Sequence, residues 1–394
     1  MTTGRGLSAG RLLAAGLRRW PRRAVSYRCR TRIRLAGSLL AGFLLASCEN
    51  GIAPPPLSLP TTDRIVFQRV GADSLGHVYS MLFDGSDLRR LTSSLFDERC
   101  PSISPDGNWI AYYVFFSGGP TALWLMRANG EQQHRIATIG PPSQCPVWSR
   151  SNDLVEVTTY ASSSTGGFEQ NWTLQVFDLA GNEVGHHDET SFSLFEFSAD
   201  AQEFLVSYMS CSVNGCMDPD LAVITRNGSF ERWLTSGVQN GIFVHEGAKE
   251  ASISPDGLTV VYVCKPDSDQ DPYSGFPIRA ACTKPWDGSS SRFLLTDLNS
   301  PQWPEFSPDG TRIAFICSQG AQNGICLIAS DGSNLTMVPT PPADGAPSWT
   351  ADGTRVIFTC QVRDICAVDI RTASFANLTN GVGTNANPSV SMTS

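Results

Sequence analysis

Short runs of alternating apolar and polar residues fill the chain from Arg64 to Val390. In Thr311–Cys317, Ile313, Phe315 and Cys317 fall on one face and Arg312, Ala314 and Ile316 on the other. Such alternation between turn residues predicts a β-strand. Three more segments complete a unit: Ile325–Ser330, Asn334–Thr336 and Pro347–Thr350. We label the four segments A, B, C and D. Asp-Gly joins B to C at Asp84-Gly85, Asp287-Gly288 and Asp331-Gly332, with Asn129-Gly130 and Asn227-Gly228 as equivalents. These dipeptides predict tight hairpins, because glycine takes positive φ without steric cost.

Ser-Pro-Asp-Gly joins D to the next A at 104–107, 254–257 and 307–310. Degenerate copies lie at Ser149–Asn152, Ser198–Ala201 and Thr350–Gly353, and Pro388–Ser391 carries the run-up alone. The marker positions 104, 149, 198, 254, 307, 350 and 391 are separated by 45, 49, 56, 53, 43 and 41 residues. That spacing matches a four-stranded propeller blade of roughly 40–50 residues. Each unit needs neighbours to bury both faces, and radial closure leaves only short sheet edges. The prediction is all-β: a seven-bladed β-propeller of four-stranded antiparallel blades, with six blades as the alternative. Because the first unit opens on A and the last closes on D, each blade is expected to be contiguous in sequence. The repeated aspartates beside glycine read as turn formers rather than ligands.

These markers resemble the WD40-like repeats of the TolB family, in which Pro-x-Phe-Ser-Pro-Asp-Gly precedes an apolar strand. Pro304–Gly310 followed by Ile313-Ala-Phe315 is the closest copy, and the resemblance covers roughly 64–391. The same repeat occurs in peptidase propellers and surface lipoproteins, so it implies fold more than function. The chain departs from TolB itself, since no separate N-terminal α/β domain fits before residue 64.

Residues 1–47 hold ten Arg and no Asp or Glu, and the apolar stretch Leu35–Ala46 follows Arg34. A basic region, a short apolar core and small residues predict a secretory signal, too short to span a bilayer. Leu45-Ala46-Ser47-Cys48 looks like a bacterial lipobox, which implies cleavage before Cys48 and acylation of its thiol. Residues 48–62 include Pro54, Pro55, Pro56 and Pro60 and predict an extended tether. The propeller then occupies 63–394. The expected address is the bacterial envelope, lipid-anchored and sorted to the outer membrane where one exists. Without residues 1–47, Lys+Arg falls from 29 to 19 against 37 Asp+Glu, a net charge of −18. That opposes nucleic acid and direct binding to anionic membrane.

Ten cysteines remain beyond Cys29 and Cys48. Cys264, Cys317 and Cys360 each lie seven residues after the glycine of their turn. Cys282 and Cys326 each lie five residues before the next Asp-Gly, and Cys366 completes the third pair. Each pair is expected to bridge an A–B hairpin. Cys211 and Cys216 share one loop, and Cys100 and Cys145 are placed to tie adjacent blades. An export signal and the lack of Cys-x-x-Cys favour disulfides over metal.

The tight B–C and D–A turns share one face, leaving the long A–B and C–D loops on the other. Loops on a rigid scaffold concentrate binding residues, so the loop face is the expected surface. On it, Asp267, Asp269 and Asp271 alternate as in a Ca²⁺ loop, but Pro272 stands where the motif needs glycine. A solvated acidic loop is preferred there, and no cofactor is expected. His186-His187-Asp188 is a candidate metal or acid–base cluster, with a polar strand end as the alternative. Phe168, Trp172, Phe243 and Tyr273, with His245 nearby, are candidates for an aromatic platform, or else they pack the loops down. No zinc-protease, phosphate-loop or dinucleotide motif is present, and Gly6–Gly10 matches Gly-x-Ser-x-Gly by chance within the signal. The expected function is a non-enzymatic envelope scaffold that binds a protein or polysaccharide. A metal-dependent polysaccharide lyase using one of the scattered histidines, or a carbohydrate-binding surface propeller, is the alternative.

Overall fold

The computed structural model describes residues 64–391 except 163–169, 190–191, 209–210, 213–214, 217–218, 236, 240–241, 245–246, 266–278, 296–298, 320–321 and 362. The expected signal, the expected tether and Cys48 lie outside the described residues. Seven four-stranded antiparallel sheets form the body. Two short hairpins, Cys211–Ser212 with Gly215–Cys216 and Gly237–Gln239 with Ile242–Val244, decorate the loop face.

The blades are offset by one strand from the sequence units. In each sheet the order from one edge is D, A, B, C, with D supplied by the preceding unit. The D strands are Asp97–Ile103, Val147–Trp148, Phe192–Phe197, Lys249–Ile253, Asn299–Phe306, Ala343–Trp349 and Thr384–Val390. The last of these pairs with Arg64–Val70, placing Ile65 opposite Val390, so blade 1 is built from both ends of the propeller. Blades contiguous in sequence were expected, and this arrangement corrects that. Turn signals mark where strands end, but strand partnership is decided by ring closure.

Seven apolar clusters each fill the space between two neighbouring blades. The seam between blades 7 and 1 joins Ile357 and Ile365 to Ile65, Phe67 and Val390. At its far end Arg69 Nε donates to Asn385 Oδ1 at 2.6 Å, a buried bond across the closing pair. Three disulfides belong to these interfaces. Cys264–Cys282, Cys317–Cys326 and Cys360–Cys366 are diagonal A–B pairs with Cα separations of 5.9, 5.8 and 5.9 Å. They pack as buried core against the preceding blade. Cys100–Cys145 ties blades 2 and 3. Cys211 stands opposite Cys216 in its hairpin.

The marker hydroxyl explains the repeat. At the six markers followed by an A strand, the side-chain oxygen accepts the N–H five residues on, at 2.9–3.1 Å. At five of them it also donates to the aspartate two residues on. The hydroxyl is almost fully buried at these positions, so losing it would leave a buried N–H unpaired. These bonds hold Asp200, Asp256 and Asp309 below the usual carboxylate range, as expected of turn formers. Residues three beyond the marker are left-handed, including Gly310 at φ 69° and even Ala201 at φ 55°.

One buried acid has no comparable support. Glu156, in the A strand of blade 3, is 0% exposed; Thr158 Oγ1 donates to Oε1 at 2.6 Å and Oε2 has no partner. Burial pushes its carboxyl up to about 8.

Two outcomes are expected. Ending the chain after Gly383 removes the strand paired with Arg64–Val70 and uncovers Ile65 and Phe67; circular dichroism should show no cooperative melting transition. A melt like that of the full chain would mean blade 1 is complete without it. Glu156 stays protonated when folded and ionises near 4.5 when unfolded, so its contribution is full at acid pH and is lost as pH rises through about 8. At about 1.4 kcal/mol per pKa unit the loss is on the order of a few kcal/mol. Denaturant melts from pH 5 to pH 9 should therefore fall less steeply for Glu156→Gln than for the parent; equal slopes would count against a buried, protonated Glu156.

Candidate binding site on the propeller axis

The D strands line the axis, and four of the seven carry the same local plan. Cys100, Glu250, Trp303 and Asn387, each four residues before a marker, have φ between 48° and 53°. Register shifts accompany them, so these are β-bulges that re-aim the following side chains. The residue immediately before each marker then forms a buried apolar ring: Ile103, Trp148, Phe197, Ile253, Phe306, Trp349 and Val390. The two tryptophans satisfy their indole N–H identically. Trp148 donates to the Ser102 carbonyl at 2.9 Å and Trp349 to the Glu305 carbonyl at 3.0 Å, each on the preceding blade.

One residue earlier, the seven positions read Ser102, Val147, Glu196, Ser252, Glu305, Ser348 and Ser389. All of these but Ser252 line, with the proline turns, a cavity of about 400 Å³ at the tight-turn end of the axis. Arg150 crosses its mouth. It replaces the proline of the repeat in blade 3 and reaches past blade 4 to blade 5. Nη1 donates to the carbonyls of Ser254 and Pro255 at 3.0 and 2.6 Å, and Nη2 to the carbonyl of Ile253 at 3.0 Å. Nη2 also pairs with Glu196 Oε1 at 3.0 Å, while Glu196 Oε2 accepts the Ile253 N–H at 2.7 Å. Glu305, on blade 6, shares Ser252 with Glu196. Burial, then the charge of Glu196, pushes its carboxyl up to about 8. Arg150 is the one cation among the described lining residues. The site therefore holds a neutralised Arg150–Glu196 pair beside a carboxyl that keeps its proton near neutral pH. It offers a hydrogen-bond donor and, once ionised, a seat for an incoming cation.

This cavity lies at the opposite end from the loop face singled out in the sequence. Its signal was present in the glutamates at two of the seven positions before the marker and in Arg150 replacing the turn proline.

The sequence-predicted residues that the structure describes are not brought together in one site. Trp172 sits in an A–B hairpin, packs on the core between blades 3 and 4, and lies 5.3 Å from the Tyr160 ring, which is the packing alternative. His186 and His187 face opposite sides of Glu183–Glu189, so they do not form one cluster. His186 pairs with Glu183 at 2.5 Å and Asp188 at 3.3 Å, which raises its pKa. Phe243 lies in the Ile242–Val244 strand. Asp267, Asp269, Asp271, Phe168, His245 and Tyr273 lie outside the described residues. Of the other histidines, buried His77 has Nδ1 2.9 Å from Glu98 Oε2 and Nε2 3.1 Å from Asp73 Oδ2, while His134 Nδ1 lies 2.8 Å from the Gln132 carbonyl. Among the described residues no three His, Cys, Asp or Glu side chains are grouped to hold a metal.

No family model matches the chain. Over 104 residues it is 32% identical to a TolB homolog of Chlorobium chlorochromatii, covering 26% of this chain and 21% of that protein. Over 124 residues it is 31% identical to an uncharacterized protein of Agrobacterium fabrum, covering 31% of this chain and 41% of that protein. The chain thus spans less than half the length of the curated relatives it matches. Among solved structures it resembles an oligogalacturonate lyase in complex with manganese, with a TM-score of 0.60 at 13% identity, covering 76% of this chain and 83% of that one. At that identity the likeness is one of fold. The chain is a TolB-like seven-bladed propeller.

Proposed function

We propose that the protein is an exported, lipid-anchored envelope scaffold without catalysis, whose axial cavity receives a basic side chain from a protein partner. The supporting observation is Glu305: a carboxyl on the cavity wall whose nearest cation, Arg150, is already committed to Glu196 and three carbonyls. A lysine or arginine entering there would replace the proton on Glu305 and complete the charge balance. Around it the apolar ring and Pro105, Pro255 and Pro308 supply the water-excluding surround that strengthens a central polar contact. The ring of disulfide-backed blades keeps this geometry fixed, which lowers the ordering cost of binding. Lipid and tether would keep the cavity near a membrane.

Two outcomes test this. Pulldown from solubilised membranes should retain a partner in near-equal amount with the parent protein, and Glu305→Arg should lose at least about tenfold of it. Equal retention by Glu305→Arg, or turnover of polysaccharide on adding divalent metal, would overturn the scaffold reading. Cys48→Ser should move the protein from the membrane to the soluble fraction; unchanged membrane retention would remove the lipid anchor from the account.

A further inference from the structure

A second cavity, of about 360 Å³, opens between the outer parts of blades 3 and 4. It is lined by His187 of blade 3 and by Tyr208, Ile224, Gly228, Phe230 and Trp233 of blade 4. Three features make it a built site. First, a β-bulge in Phe230–Trp233 sets Phe230 opposite Ile224 and Trp233 opposite Ala222. Residues three apart in a regular strand face opposite ways, so the bulge is what puts both rings on one face. Second, the rings stand at steep angles. Tyr208 meets Trp233 at 89° with centroids 5.5 Å apart, and Phe230 meets it at 58° and 5.4 Å. Third, the far wall is close because Gly228 has no side chain: a Cβ there would fall 2.4 Å from His187 Nδ1.

We propose that this cleft binds an alkylammonium group, with Trp233 as floor and Tyr208 and Phe230 as walls. Three aromatic rings line this one cleft, and the face of an indole or phenyl ring attracts a cation. A sugar instead wants one broad flat face and convergent hydrogen-bond donors, which rings at 89° do not offer. Of the nearby acids, Glu183 and Asp188 are held by His186, and Glu231 is exposed beside the aromatic wall. The neighbouring guanidinium of Arg232 is bound to Glu203 at 3.2 Å and to the Trp286 carbonyl at 3.1 Å.

Calorimetric titration of the purified protein tests the assignment. Choline should bind saturably and its uncharged isostere 3,3-dimethylbutan-1-ol at least about tenfold more weakly, with methyl α-glucoside not binding. Phe230→Ala should weaken choline about fivefold or more, and Phe230 is 54% exposed, so the change leaves the core intact. Trp233→Phe, which keeps a ring in place, should weaken it without loss of folding. A peptide bearing Nε-trimethyllysine tells a protein source of the cation from a small-molecule one, and saturable binding of either supports the site. Equal binding of the isostere, preference for the glucoside, no saturation by either cation, or indifference to Phe230→Ala would each overturn it.

Discussion

Everything in this molecule depends on a strand being given away. Each unit of the sequence contributes its D strand to the next blade, and the last unit contributes its own to the first. No blade is therefore complete without its predecessor. The same handover puts seven equivalent D strands around the axis, so what lines the axis is fixed by the short run-up to each marker. Between the blades, closely similar apolar packing is repeated seven times, with three disulfides embedded in consecutive interfaces.

Much of this was legible in the sequence. The strands, the hairpin turns and the number of blades followed from alternation and from Asp-Gly chemistry. Cysteine pairing followed from equal offsets to a turn glycine, because equal offsets in a repeat mean equal places in a sheet. The assignment of D to its blade was not legible. A chain that opens on A and closes on D is compatible with self-contained blades and with exchanged ones alike, and the choice between them is made by contacts more than 300 residues apart, such as Arg69 with Asn385.

The axial site was harder to read for a related reason. Degenerate copies of a motif look like decay, and Arg150 in place of proline reads in the sequence as one more of them. In the ring that residue is the tie that spans three blades, and the two glutamates that depart from the serine-rich pattern are its companions. Departures from a repeat matter most where symmetry brings them together. Trp172 shows the converse: it sits near a long loop in sequence, yet the hairpin carries it into the space between blades, the packing alternative.

The exchanged closing strand also bears on how the protein is made. Arg64–Val70 is synthesised long before its inner neighbour, Thr384–Val390. Until that neighbour is in place, the sheet that holds Arg64–Val70 keeps one unpaired edge. A prematurely terminated product keeps that edge. Such a product is distinguishable from a finished one by surface alone, and proteases or chaperones that recognise unpaired β-edges can discard it. The seven-residue strand Thr384–Val390 thus marks a closed ring.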